Sequence, residues 1–152
     1  MAYIISSAPD VYIATLDRHA RTARNEAVSV RAASTGTFNR NRLLNLRDLL
    51  DRLLLQITDI LALPSYMQLL IRDRIRENLD DATYDAAAEL TAMQTEAQSL
   101  VAWIEANYPV HTDGGQSTYD IDGNPLTFTL TAGQITALQN AIDSFTSTIT
   151  LG

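Results

Sequence analysis

Leu43-Leu44-Asn45-Leu46-Arg47-Asp48-Leu49-Leu50-Asp51-Arg52-Leu53-Leu54-Leu55-Gln56-Ile57-Thr58-Asp59-Ile60-Leu61 decides the fold. Leu43, Leu46, Leu50, Leu53, Ile57 and Ile60 recur at alternating steps of three and four, which is one face of an α-helix. Leu44, Leu49, Leu54 and Leu61 add a second apolar flank. The charges, Arg47, Asp48, Asp51, Arg52 and Asp59, are confined to a narrow strip. A helix apolar on two sides must be covered by at least two others. The spacing therefore predicts a central helix over 40–61, stopped by Pro64.

The flanking sequence supplies the cover. Residues 1–9 read as an extended arm, with Tyr3, Ile4 and Ile5 as docking residues. Ser6, Ser7, Pro9 and Asp10 read as a helix start. A first helix over 10–33 follows, with Ile13, Leu16, Ala20, Ala23, Ala27 and Val30 on its apolar side. Gly36 and Asn39 fall in a break between helices.

Ser65 caps a short third helix over 66–78, whose apolar side is Met67, Leu70, Ile71 and Ile75. Asp80 and Asp81 read as the start of a fourth helix reaching 107, with Ala86, Leu90, Met93, Ala97, Leu100 and Ile104 inward. Tyr108-Pro109 ends it. Two short strands, 118–121 and 126–130, flank Asp122-Gly123-Asn124-Pro125 and predict a β-hairpin over 117–130. Thr131 and Gln134 form a capping box for a last helix carrying Ile135, Leu138, Ile142, Phe145 and Ile149. The first, fourth and last helices are each expected to cover the central one. The fold class is mainly α: a single domain over 1–152, a bundle of four to five helices with one hairpin.

Charge is arranged more tellingly than its total. All 11 basic residues are arginines, and all lie between Arg18 and Arg76. Residues 1–76 carry 11 basic and 7 acidic side chains, net +4. Residues 77–152 carry 11 acidic and none basic, net −11, giving the chain its −7. Such halves attract each other within a chain or between copies.

The 152 residues suffice for a core without metal or disulfide, and there is no cysteine. The start has no basic region or long apolar core, so it does not read as a secretory signal. No run of about eighteen apolar residues predicts a membrane span.

Motifs for chemistry are sparse. His19 and His111 lie on different elements and predict no metal site. Asp120-Ile121-Asp122-Gly123-Asn124 lacks the third ligand and closing glutamate of a calcium loop. The Asp80-Asp81 pair reads as a helix cap. There is no nucleophile elbow, phosphate loop or dinucleotide fingerprint. No enzyme, cofactor or small-molecule substrate is expected. Arg18, Arg21 and Arg24 form a rotating basic stripe that would suit phosphates, the alternative being a nucleic-acid-binding or regulatory helical protein. A pI near 4.6 and the interspersed Asp17 and Glu26 favour a solvated, salt-bridged face instead.

The stretches Tyr84-Asp85-Ala86-Ala87-Ala88-Glu89-Leu90, Trp103-Ile104-Glu105-Ala106-Asn107-Tyr108-Pro109 and Phe128-Thr129-Leu130-Thr131-Ala132-Gly133-Gln134-Ile135-Thr136-Ala137-Leu138 resemble small helical structural proteins of tailed bacteriophage virions. The resemblance covers roughly the C-terminal half. It implies a non-enzymatic head, neck or tail component that contacts other copies of itself and other virion proteins. Localisation would be the virion, after folding in the host cytoplasm. It carries over no site residues. The expected contact residues come from the chain itself: Tyr3, Ile4 and Ile5 on the arm; Tyr119, Ile121, Leu126 and Phe128 on the hairpin; and Arg18, Arg21 and Arg24 on the stripe.

Overall fold

A computed structural model describes residues 2–33, 37–107 and 127–148. Among them are five helices: α1 (Ala2–Ala32), α2 (Arg40–Leu61), α3 (Ser65–Leu79), α4 (Ala86–Asn107) and α5 (Ala132–Thr146). Two short strands, β1 (Thr37–Asn39) and β2 (Thr127–Thr129), join them. α2 occupies the predicted span, and its six predicted inward residues are all at most 2 % exposed.

α2 packs on α1 and on α4, and α5 packs on the same two helices, so the four form a ring. The last helix therefore stands opposite α2 rather than directly covering it. α3 turns back from α2 by 117° and lies on α1 and α4. One continuous core fills the ring, including Leu16, Leu50, Leu53, Ile57, Leu100, Leu138 and Phe145. Ala20, Ala23 and Ala27 are wholly buried on α1. Small residues there let the neighbouring backbones approach closely.

Several further expectations are corrected. The N-terminal stretch is helical from Ala2, not an extended arm. Proline usually breaks a helix interior, which is why Pro9 reads as a start. Here the helix runs through it: Pro9 has no N–H for the carbonyl of Ile5, and one rung of the ladder is missing.

Of the predicted hairpin, only the end of its second strand lies among the described residues. β2 falls inside the second predicted strand, but it pairs antiparallel with β1, Phe38 standing opposite Phe128. Residues 117–126, including Tyr119, Ile121 and Leu126, lie outside the described residues, as do His111 and Ile149. A local turn signal carries no information about a partner so far upstream.

The Asp80-Asp81 pair closes α3 instead of opening α4. Asp80 adopts the left-handed conformation (φ 52°, ψ 44°) as the C-cap, and the Asp81 N–H donates to the Arg76 carbonyl at 3.0 Å. Asp81 Oδ1 accepts from the Thr83 hydroxyl (2.7 Å) and amide (2.9 Å). These two bonds hold the Asp81 carboxyl below its ordinary pKa. The cap of α4 is Asp85, whose Oδ1 accepts from the Ala88 amide at 3.1 Å. α3 also lacks the expected Ser65 cap: Pro64 takes that position, with no side-chain bond. The capping box of α5 is as predicted, with Thr131 and Gln134 bonding each other's amides at 3.2 and 2.9 Å. The helix ends at Thr146, before Ile149, which was expected on it.

Candidate partner-binding surface

α4 carries two heptad seams on opposite faces. The inward seam is Ala86, Leu90, Met93, Ala97, Leu100 and Ile104, all buried. The outward seam is Ala88, Ala92, Thr95, Ser99, Ala102 and Ala106, spaced at four, three, four, three and four, and all exposed. A step of 100° per residue, with each outward residue two positions after an inward one, places the two seams about 160° apart. Every residue of the outward seam is small and uncharged, while Glu89, Glu96 and Glu105 lie to its sides. The Thr95 hydroxyl donates to the Thr91 carbonyl at 3.0 Å and that of Thr91 to the Ala87 carbonyl at 2.8 Å, so both are engaged by their own helix. The result is a smooth, uncharged ridge suited to close approach by another helix.

A second surface lies where α3 meets the start of α4. Tyr66, Leu69 and Leu70 project outward at 63 %, 48 % and 41 % exposure. Leu70, expected on the inward side of α3, is thus on its outer side. Position accounts for this: the inward line is set by Ile71 and Ile75, and Leu70 is rotated 100° from Ile71. Beside this ridge is a groove of about 160 Å³ lined by Ile60, Leu61, Leu69, Ala86, Ala87 and Leu90. Arg72 and Asp85 stand on its α3 and α4 walls. Arg72 donates to Asp73 Oδ1 at 2.9 and 3.1 Å.

The sequence-predicted contact residues are dispersed. Tyr3, Ile4 and Ile5 lie in the first turns of α1. Phe128 is in β2, opposite Phe38. Arg18, Arg21 and Arg24 are exposed on α1, with Arg21 tied to Asp17 at 2.8 Å. His19 is lowered in pKa by burial and by the nearby Arg18 and Arg52 guanidiniums, so it favours its neutral form. On α2, burial raises the Asp51 carboxyl, Arg47 opposes, and Glu105 and Asp48 add to the rise. Among the described residues no group of three or more His, Cys, Asp or Glu side chains is placed to hold a metal ion.

The α4 ridge is invisible to a search for large apolar residues. The outward seam of α4 is written in Ala, Ser and Thr, which score weakly as hydrophobic and read as solvent-facing. Its heptad spacing was nevertheless visible in the sequence. Comparison with known protein families, curated proteins and solved structures gives no match.

Proposed function

We propose that this chain is a non-enzymatic assembly protein of a tailed-phage virion, a head, neck or tail component acting through protein–protein contacts. The outward seam of α4 carries the reading. A helix that repeats its heptad on both faces is patterned for two packing partners, and its own bundle supplies one. A solvated helix face ordinarily carries charge, and this one carries none along its ridge. The resemblance of the C-terminal half to small virion proteins supports the setting. The partners are further copies of the chain or other virion proteins, and the role requires no cofactor.

The test is mass by light scattering, alone and with virion extracts, for the wild type and for Ala92→Glu and Ser99→Glu. The wild type is expected to reach a larger mass than either variant, with both variants keeping their helical content. A wild-type chain that stays monomeric and binds no virion component overturns the reading.

A further inference from the structure

We propose that the corner formed by α3 and the start of α4 is a two-fold contact with a second copy of this chain. The inference rests on the assembly reading and names one partner and its surface. Three observations on the same patch carry it. Tyr66, Leu69 and Leu70 form an exposed apolar ridge on a short helix whose remaining outer positions include Asp73 and Glu77. The groove lies directly beside that ridge, and Leu69 belongs to both. The groove walls carry opposite charges, Arg72 on α3 and Asp85 at the start of α4.

An isologous contact needs a patch complementary to itself, so that residue i meets j and j meets i. A ridge next to a groove, with one cation and one anion across it, has that property. A two-fold axis beside Leu69 seats the Tyr66–Leu70 edge of each copy in the groove of the other. It also sets Arg72 of each copy against Asp85 of the other. In the single chain Arg72 rests on Asp73, its immediate neighbour, an exposed pair that is easily exchanged. Three ridge side chains and a narrow groove are far fewer than the roughly 20–30 residues a side of a standard stable interface. The contact is therefore weak and concentration-dependent. Combined with a separate contact through α4, it would link copies into an extended array rather than stop at a pair.

The absence of cysteine makes the test direct. Leu69→Cys and Leu70→Cys are oxidised mildly at high protein concentration beside Leu55→Cys, which is 65 % exposed on α2 and does not line the groove. Sedimentation is followed in parallel for the wild type, Leu69→Glu and Ala92→Glu, with circular dichroism confirming the helical content of each. The expected result is disulfide-linked dimer from the two corner cysteines and little from Leu55→Cys. Leu69→Glu should remove the corner step from a concentration-dependent rise in mass, and Ala92→Glu should leave that dimer step in place. Cross-linking of Leu55→Cys as efficient as at the corner, or a wild-type mass untouched by Leu69→Glu, overturns the proposal. If Ala92→Glu still lowers that mass, the assembly reading survives and only the corner contact fails. A wild type that remains monomeric and binds no virion component removes both.

Discussion

Arg31 grips Asp143 at two points, Nε to Oδ1 at 2.7 Å and a terminal guanidinium nitrogen to Oδ2 at 3.1 Å. The fork joins α1 to α5, and so the basic half of the chain to the acidic half. At this place the charge asymmetry is satisfied within one molecule. The hydrogen bonds from Arg31 hold the Asp143 carboxyl below its ordinary value. A carboxyl lowered in the folded state stabilises above its unfolded pKa, about 3.9 for aspartate, and that contribution fades as pH falls through the lowered value. Arg31→Ala should slightly lower the melting temperature at neutral pH and low salt. Both groups are exposed, so the difference should shrink at high salt and vanish in strong acid. Melting curves at two ionic strengths and two pH values check this.

Replacing Leu50 or Leu53 tests the role of α2. Both are wholly buried in the ring. Truncation to alanine should cost about 2–5 kcal/mol. Aspartate at either position buries an unpaired carboxylate and should leave no folded protein. Urea titration of Leu50→Ala and the circular dichroism of Leu50→Asp are the measurements.

Thr131 and Gln134 close the start of α5 reciprocally, and Gln134 also donates to Asn107 Oδ1 on α4 at 3.1 Å. Thr131→Ala should cost about 1 kcal/mol through the lost cap. Gln134→Ala removes the reverse bond and the tie to α4 together, so its destabilisation should be at least as large. Denaturant midpoints of the two variants and of the double variant separate the contributions.

Tyr84 titrates late. Burial, with the Glu89 carboxylate adding to it, raises its phenol from 10.0 to about 12. A group raised in the folded state lends stability that is full below its unfolded pKa and is lost as pH climbs through the folded value. Between pH 10 and 12, stability should therefore fall with a contribution that Tyr84→Phe removes. Ultraviolet titration of the wild type against that variant should show one fewer phenol ionising at the alkaline end.

The core was legible because it is written in periodicity: each inward residue expected on α2 and α4 is buried, as are Ile13, Leu16, Ala20, Ala23, Ala27 and Val30 on α1. Pairings set by distance were not legible. The sequence around Asp122-Gly123 favours a local turn, and nothing in it names Thr37–Asn39 as the partner of Thr127–Thr129. Aspartates were misassigned because one residue type serves two ends: Asp80 closes a helix by its backbone, and Asp85 opens the next by its side chain. Of the contact surface, Leu70 was expected on the inward side of its helix and Leu69 was not singled out, and the exposure of both follows from where Ile71 and Ile75 dock.

The pairing of Thr37 with Thr129 spans 92 positions of the chain. Bringing such distant segments together carries a large chain-closure entropy, and a ribbon of three residues on each side returns little for it. The helices must collect first and deliver the two strands to each other, so the ribbon is the last element to assemble in time. It is also the first whose amides should exchange with solvent, a slow clasp fastened over a bundle already formed.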